Sequence, residues 1–161
     1  MSRIAPCLWF DGNAEEAVDF YASLMPDSRL DRVMRAPTDY PGGKAGGVVA
    51  IDFTIGGDPF VALNGGPHYS FTPAVSFFVT CEDQSEVDRL WAALSNGGTP
   101  MQCGWITDRF GVTWQIVPKA LGAMIADPDP ARAARVFEAM MPMVKLDLAA
   151  LERAHRGADA A

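Results

Sequence analysis

The sequence contains few histidines and cysteines, the side chains that most often ligate transition metals or serve as activated nucleophiles. The two histidines are His68, in the segment NGGPHYSF, and His155, near the end of a predicted helix. The three cysteines, Cys7, Cys81 and Cys103, lack the C-x-x-C spacing of zinc and redox sites. No histidine is placed in sequence to activate a cysteine. We therefore interpret the cysteines as reduced, mostly buried thiols, and the histidines as a loop residue and a cation at a helix C-terminus.

The carboxylates offer little acid–base chemistry. Asp52 lies inside the predicted strand VVAIDFTI. Because side chains alternate along a strand, Asp52 is expected on the face opposite that of Ile51 and Phe53, where it would be exposed. Asp108 lies in the turn DRFG, where its side chain is expected to cap its own backbone. Arg109 beside it is either a solvated turn residue or a partner for a ligand carboxylate. The sequence therefore predicts no catalytic residue.

An internal repeat supplies the elements that position these residues. A shift of 70 residues superposes Asn13 on Asp83 and Glu16 on Glu86, and each pair is typical of a helix capping box. The same shift aligns the apolar residues of two predicted helices: Ala17 with Val87, Phe20 with Leu90, Tyr21 with Trp91 and Leu24 with Leu94. Both helices are therefore expected to start alike and to bury equivalent faces.

Short strand candidates surround each helix. They are residues 4–10, 30–35, 47–55 and 59–64 in the first half, and 74–80, 100–103, 105–107 and 112–117 in the second. The order β-α-β-β-β therefore occurs twice, in a first module of about residues 3–66 and a second of about 73–118. One module alone would leave a sheet face uncovered, so we expect the two to pack together in a single domain, 1–161, and to enclose a cleft.

The lining of this cleft follows from the alternation of side chains along strands. The predicted ligand-binding residues are Cys7, Trp9, Asn64, His68, Phe77, Trp105, Trp114 and Gln115. Asn64 and Gln115 are the main polar anchors, and His68 lies in the loop that joins the modules. Such a lining suits an uncharged or aromatic molecule held by stacking and a few hydrogen bonds. The alternative is that each tryptophan is ordinary core.

Beyond Pro118 the pattern becomes helical. Residues 119–126 form one predicted helix, a second starts at Asp129 with Pro130 in its first turn, and a third is LDLAALERAHRG. The apolar positions of the second and third are Val136, Phe137, Met140, Met141, Leu148 and Leu151. This surface either packs on the chain's own sheet or forms a partner interface with adaptable methionine contacts. Residues 157–161 are predicted to be disordered.

Composition and charge limit the classes of function. The chain of 161 residues has 49% hydrophobic and 20% charged residues, as expected of a globular domain. Its net charge of −7 opposes binding to nucleic-acid phosphates. No apolar stretch approaches the length of a membrane span or a signal peptide. We therefore expect a cytoplasmic protein with neither a nucleic acid nor a membrane as partner.

Four segments carry a family resemblance: FDGNAEEAVDFYASLMPDSRL, ALNGGP, CGWITDRFGVTWQIVP and RVFEAMMPMVKLDLAALERA. Together with the doubled pattern, they resemble the PhnB-like, demethylubiquinone methyltransferase-like branch of the vicinal oxygen chelate superfamily. The resemblance implies an α+β fold in which two βαβββ modules form a curved, open, barrel-like mixed sheet, here with a C-terminal helical extension. It also implies a homodimer, with the modules closing either within one chain or between two.

In metalloenzymes of this superfamily, such as glyoxalase I and the extradiol dioxygenases, His and Glu of the inner strands hold a divalent metal that polarises substrate oxygens. The resemblance places the equivalent positions near Ile4 or Pro6, near Ser76 or Phe77, near Ala62 or Asn64, and at Gln115. None of these is His, Asp or Glu, and neutral oxygens are poor sole ligands for a transition metal. We therefore predict no metal site of the family type and no cofactor.

The methyltransferase description also lacks support in these residues. A methyl-donor nucleotide site in the usual fold needs a glycine-rich turn between a parallel strand and a helix, whereas PGGKAGG and LNGGP link or follow predicted antiparallel strands. We favour metal-independent binding of a small apolar or aromatic molecule in the cleft. The alternative is a metal-dependent isomerase, lyase or dioxygenase with unconventional ligands around Gln115, Asn64 and His68.

Overall fold

The computed structural model describes residues 4–157 and confirms that the β-α-β-β-β order occurs twice. The chain folds as two compact units, Met1–Phe71 and Thr72–Ala161. The first contains β1 (Cys7–Phe10), α1 (Ala14–Ala22), β2 (Arg29–Arg35), β3 (Val48–Ile55) and β4 (Asp58–Asn64). The second contains β5 (Phe77–Cys81), α2 (Gln84–Ser95), β6 (Thr99–Pro100), β7 (Trp105–Thr107), β8 (Thr113–Pro118), α3 (Ala120–Ile125), α4 (Pro130–Met140) and α5 (Leu148–Arg156). The fold class is α+β, as predicted, with two four-stranded mixed sheets.

The first sheet has the strand order β1-β4-β3-β2, with β1 parallel to β4 and the other neighbours antiparallel. One of its faces packs against α1 and carries a buried layer of Leu8, Phe10, Ile51, Phe53, Phe60 and Ala62. The ring of Phe53 stacks on that of Tyr21 in α1, with a centroid distance of 6.4 Å. Burial of each large apolar side chain contributes roughly 1.5–3 kcal/mol, so this layer fixes α1 on the sheet.

The second sheet has the order β5-β8-β7-β6, with β5 parallel to β8. The face that packs against α2 carries Ile106, Trp114 and Ile116, which are at most 2% exposed. The apolar side of α2 is buried as well, through Val87, Leu90 and Leu94. The faces predicted from the repeat are therefore buried in both units, except at Phe20 and Trp91, which are only half-buried.

The two helices start differently, although the sequence predicted a capping box at both. Asp83 caps α2 as expected, because its side chain accepts a hydrogen bond of 2.9 Å from the N–H of Glu86. The Oε2 atom of Glu86 in turn accepts from the N–H of Glu82 at 2.8 Å. Asn13, in contrast, makes no side-chain capping bond at the start of α1. The prediction was wrong there because Asn64, from the end of β4, supplies the oxygen instead.

The strand β6 is shorter than predicted and consists only of Thr99–Pro100. The chain then turns at Cys103 and Gly104, whose φ angles of 59° and 80° both lie in the left-handed region. Two consecutive positive φ angles are typical of a type I′ hairpin turn, and the N–H of Trp105 closes it on the carbonyl of Gln102 at 3.3 Å. The strands β1 and β5 also start three residues later than the predicted residues 4 and 74.

The C-terminal helices pack on an apolar surface of their own unit, as the first of the two interpretations predicted. The shared core consists of Val117, Leu121, Met124, Val136, Leu146 and Leu151. Phe137 and Met141 nevertheless remain 49% and 46% exposed, so the apolar face of α4 is only partly covered in this chain. The interface with a partner stays a prediction.

The helix α4 starts as the sequence predicted, because Asp129 accepts a hydrogen bond from the N–H of Ala131 and Pro130 lies in the first turn. The last helix ends at Arg156 and is followed by Gly157, which adopts the left-handed conformation common at helix C-termini. Most of the tail predicted to be disordered, residues 158–161, lies outside the described residues. Within residues 4–157, no helix is long and apolar enough to cross a membrane.

Candidate functional site

The candidate site is the side of the first sheet opposite α1, which we call the far face. Strand register sorts its side chains into rows that cross all four strands. Trp9 pairs with Leu63, Leu63 with Ala50, and Ala50 with Met34. The next row contains Cys7, Val61, Asp52 and Arg32, paired in the same way.

The row of Trp9, Leu63, Ala50 and Met34 is apolar throughout, and we call it the apolar row. Trp9, Leu63 and Met34 are half-buried, so each offers some apolar surface to a ligand. Ala50 is 8% exposed, and its side chain ends at Cβ. The surface of the row is therefore depressed at Ala50, between the larger side chains on either side. Since adjacent strands lie about 4.8 Å apart, the row spans about 14 Å, enough for a fused bicyclic aromatic group.

Trp9 is held at one end of the apolar row by the loop that follows β4. Its indole Nε1 donates a hydrogen bond of 2.8 Å to the carbonyl of Gly66. Its ring lies against Gly65, where an added Cβ would be 2.3 Å from two ring atoms. The ring of Tyr69, which is 70% exposed, meets that of Trp9 edge-on at a centroid distance of 4.9 Å. The indole is therefore fixed in position before any ligand arrives.

The two glycine-rich segments of this unit pack against each other. A Cβ on Gly42 would lie 2.5 Å from the carbonyl oxygen of Asn64 and 2.8 Å from the carbonyl carbon of Gly65. The close approach of two backbones explains why glycine is needed at Gly42, whereas at Gly65 the ring of Trp9 leaves no room for a Cβ. Gly42 lies between β2 and β3, and Gly65 lies between β4 and β5. Neither segment opens a helix, so neither forms the phosphate-binding turn of a nucleotide fold.

The second row of the far face ends in an ion pair. Arg32 contacts Oδ2 of Asp52 through Nε at 2.9 Å and through Nη2 at 2.6 Å. Asp52 was predicted to be exposed, but it is half-buried because Arg32 lies over it. At the other end of the row, partial burial raises the pKa of the exposed Cys7 thiol. Cys7 is therefore protonated at neutral pH and a poor nucleophile.

The predicted ligand-binding residues of the first unit do not share one surface. Cys7 and Trp9 lie on the far face, whereas Asn64 pairs with Phe10 on the face that packs against α1. Asn64 is buried, and its amide accepts from the N–H of Ala14 at 3.0 Å and donates to the carbonyl of Val48 at 2.9 Å. Asn64 therefore does not share a face with Trp9, because alternation alone could not show that its register partner in β1 is Phe10. His68 is exposed in the loop after β4, as its simpler interpretation predicted.

The predicted residues of the second unit are also divided between two faces. Phe77 and Trp114 lie on the α2 side, with ring centroids 5.3 Å apart, and Trp114 is 2% exposed. Trp105 and Gln115 pair with each other on the opposite side and are half-buried. The Nε2 group of Gln115 donates a hydrogen bond of 2.9 Å to the hydroxyl of Ser76. Trp114 therefore corresponds to the alternative in which a tryptophan is ordinary core.

Asp108 has the turn role predicted for it and one further role. Its Oδ1 atom accepts from the N–H groups of Phe110 and Val112 at 2.8 and 3.0 Å. Its Oδ2 atom accepts from the indole Nε1 of Trp114 at 2.9 Å. Asp108 is buried, and these bonds hold the turn and the core tryptophan together. The Cζ atom of Arg109 lies 4.9 Å from the centroid of the Phe110 ring.

The donor set does not fit the metal of the superfamily's enzymes. The residues near the family positions supply amide, hydroxyl and apolar groups, and both polar atoms of the Asn64 amide already bond to the backbone. Among residues 4–157, no three His, Cys, Asp or Glu side chains are grouped so that they could hold a metal ion. Burial raises the pKa of the Cys81 thiol to about 12, which keeps this potential ligand protonated.

Sequence reasoning missed five residues of the two rows: Leu63, Ala50, Met34, Val61 and Arg32. The sequence predicts how these side chains alternate along each strand, but their alignment into rows depends on the register between neighbouring strands. Two register shifts in β2, one before Arg32 and one after Met34, make that strand harder still to place. Arg32 and Asp52, 20 residues apart, carried no local signal of their pairing.

Comparisons with known proteins place the chain in a family. A family model described as 3-demethylubiquinone-9 3-methyltransferase matches residues 2–117. The solved structure of a PhnB protein from Bacillus cereus, described by the same methyltransferase name, is 33% identical over 73% of this chain and 99% of that chain, with a TM-score of 0.66. A Pseudomonas aeruginosa protein of similar fold is 22% identical over 74% of this chain and 98% of its own, with a TM-score of 0.62.

No curated protein is similar enough to count as a match. The family match ends at residue 117, so the helices α3, α4 and α5 lie beyond it. Within the matched part, the doubled β-α-β-β-β order agrees with the resemblance seen in the sequence. The chain therefore belongs to the 3-demethylubiquinone-9 3-methyltransferase family of PhnB-like proteins, within the vicinal oxygen chelate superfamily.

Proposed function

We propose that this protein binds a small apolar or aromatic molecule on the far face of its first sheet, without a metal ion. The observation that carries the proposal is the fixed, half-buried indole of Trp9 at the end of the apolar row. A ligand stacked on this ring would continue over Leu63 and Ala50 towards Met34. Few, well-placed polar groups beside an apolar surface are typical of small-molecule sites.

We propose binding without a metal because the side chains near the family's metal-ligand positions are poor metal ligands. The family positions offer neutral groups, and the most suitable of them, the Asn64 amide, is engaged by the backbone at both atoms. The thiol nearest the apolar row, Cys7, is held in its protonated form. Elemental analysis of the purified protein should therefore find no stoichiometric zinc, nickel, iron or manganese. A metal bound at one ion per chain would overturn this part and favour the alternative, a metal-dependent enzyme.

Methyl transfer, which the family description names, is not part of the proposal. The glycines that could have suggested a nucleotide site serve instead to bring two loops together at Gly42 and Gly65. The cleft between the modules, the single domain of residues 1–161, the homodimer and the cytoplasmic location stay predictions from the sequence. The proposed binding surface belongs to the first sheet alone.

Binding can be tested with the uncharged fluorescent probe N-phenyl-1-naphthylamine. The full-length protein should enhance its fluorescence saturably, and Trp9→Leu should weaken the affinity by roughly tenfold, as expected for loss of an aromatic anchor. Trp91→Leu is the matched control, because Trp91 is a half-buried tryptophan of α2 in the other unit. Equal affinities of the wild type and Trp9→Leu, or no saturable binding at all, would contradict the proposal.

A further inference from the structure

We infer that the ligand of the far face is a neutral amphipathic molecule, with an apolar or aromatic body on the apolar row and an uncharged hydrogen-bonding group, such as a primary amide, at the Arg32–Asp52 pair. This inference rests on the proposed function and specifies the chemistry of its ligand. It follows from where the ion pair lies, from its net charge and from the atoms that it leaves available.

The ion pair lies directly beside the apolar row. Asp52 is two residues from Ala50 on β3, and Arg32 is two residues from Met34 on β2, on the same face of the sheet. Two residues along a strand cover about 7 Å. A bicyclic body over Leu63 and Ala50 therefore brings a short substituent within reach of the pair.

The two ion pairs beside the apolar row together carry no net charge. Arg32 pairs with Asp52, and in the adjoining segment Arg29 pairs with Asp31 at 2.7 Å, so two positive charges are matched by two negative ones. The hydroxyl of Thr54, the register partner of Arg29, donates to Asp31 at 2.6 Å. An anionic ligand would be attracted by Arg32 and repelled by Asp52. A cationic ligand would be attracted by Asp52 and repelled by Arg32, so neither sign of charge is favoured.

The pair still has hydrogen-bonding capacity for a neutral group. Both contacts of Arg32 are made to Oδ2 of Asp52. Among residues 4–157, Oδ1 of Asp52 and Nη1 of Arg32 have no hydrogen-bond partner. Asp52 Oδ1 can accept from an N–H of the ligand while Arg32 Nη1 donates to its carbonyl oxygen. A primary amide supplies both groups, whereas a carboxylate lacks the donor and an ammonium group lacks the acceptor.

Three probes with the same naphthalene body test this inference: 2-naphthamide, 2-naphthoate and 2-naphthylmethylamine, which at pH 7 are neutral, anionic and cationic. Each is titrated against the full-length protein with bound N-phenyl-1-naphthylamine, and its displacement of that probe is measured. The neutral amide should bind roughly 2- to 5-fold more tightly than either charged probe, the size expected for exposed charge interactions.

Variants of the pair should change the preference in opposite directions. Asp52→Asn leaves Arg32 unpaired and should make 2-naphthoate the tightest of the three, whereas Arg32→Gln should make the cationic amine the tightest. The control is Asp39→Asn, which breaks the exposed Lys44–Asp39 pair in the loop between β2 and β3 and should leave the order unchanged.

The failure of this inference can be told apart from failure of the proposed function. If all three probes bind equally and Trp9→Leu weakens the binding of each, the far face binds apolar molecules. The inference that its ligand carries a neutral polar group is then wrong. If a charged probe binds the wild type most tightly, the inference is also wrong. If neither N-phenyl-1-naphthylamine nor any naphthalene probe binds, the proposed function itself fails, and this inference with it.

Discussion

The side-chain oxygen of Asn64 accepts a hydrogen bond of 3.0 Å from the backbone N–H of Ala14, 50 residues earlier in the chain. The amide nitrogen of the same side chain donates 2.9 Å to the carbonyl of Val48. One buried amide thus connects the N-terminus of α1, the end of β4 and the start of β3. An unsatisfied buried polar group costs about 1–3 kcal/mol, so the connection matters for stability.

Asn64→Ala should therefore lower the free energy of unfolding by about 2 kcal/mol, because it leaves a buried N–H and a buried carbonyl without partners. Urea denaturation measures the change. Asn13→Ala is the matched control, since Asn13 occupies the N-cap position of α1 but makes no side-chain capping bond. Its effect should stay below about 0.5 kcal/mol. Equal effects of the two substitutions would show that Asn64 does not cap α1.

Gly65→Ala should disturb Trp9, because the new Cβ would lie 2.3 Å from its ring atoms. Overpacking of this kind costs about 1–3 kcal/mol, and the displaced indole should bind N-phenyl-1-naphthylamine more weakly. Gly122→Ala is the control, because a Cβ at this position in α3 meets no heavy atom within 4 Å. It should stabilise the protein by about 0.5–1 kcal/mol through helix propensity. Wild-type stability and binding in Gly65→Ala would contradict the packing described for Trp9.

The turn before α4 should make stability depend on pH. Asp127 accepts a hydrogen bond of 2.8 Å from the N–H of Asp129 and lies 2.7 Å from Nε2 of His155, and these two interactions lower its pKa below the usual 3.8. A lowered folded-state pKa adds stability that is present above the unfolded-state pKa and lost as the pH falls through the folded-state value. Asp127→Asn should therefore destabilise the protein at pH 7 more than at pH 3.

Urea denaturation at a series of pH values gives this difference directly. Glu138→Gln is the control, because Glu138 is an exposed carboxylate of α4, and its effect should show no such trend. A destabilisation by Asp127→Asn that stays constant from pH 7 to pH 3 would mean that the carboxylate charge contributes nothing to the fold.

The cysteines should react in an order set by burial. Burial raises the pKa of Cys81 from 9.0 to about 12, which lowers its thiolate fraction by about a thousandfold near neutral pH. In the native protein at pH 8.5, iodoacetamide should therefore modify the exposed Cys7 well before Cys81, as read by peptide mass spectrometry. In urea, both should react at similar rates. Early labelling of native Cys81 would contradict its burial.

The same raised pKa predicts an alkaline limit to stability. Because the native state keeps the Cys81 thiol protonated while the unfolded state ionises near its ordinary pKa of 9.0, the contribution of this group is complete below pH 9 and is lost as the pH rises towards 12. Cys81→Ser should remove this part of the alkaline decline in the free energy of unfolding. A wild-type stability that does not fall over this range would argue against a buried, protonated thiol.

The elements of the fold could be predicted because their signals are local. The cap of α2 at Asp83 and the start of α4 at Asp129 and Pro130 were readable from neighbouring residues, and so was the turn role of Asp108. The cap of α1 failed because its acceptor, Asn64, comes from a distant strand. The local pattern at Asn13 could not show that the first N–H of α1 already donates to the side chain of Asn64.

The candidate site was predictable only in part, because faces and rows depend on register. That Trp9 lines a ligand surface stays a prediction, and its pairing with Leu63 rather than Asn64 changes which side chains surround it. A register change of one residue moves every side chain of a strand to the other face. Met34 was harder still, because the pairing of β2 with β3 shifts in register both before Arg32 and after Met34.

The most direct test of the far face as a ligand surface is a ¹H–¹⁵N NMR titration of the full-length protein with 2-naphthamide. We predict that the largest shift changes occur at the indole N–H of Trp9 and at the backbone amides of Leu63, Ala50, Met34 and Asp52. Unchanged signals at all of these groups, or changes confined to α1 or to the C-terminal helices, would contradict the account.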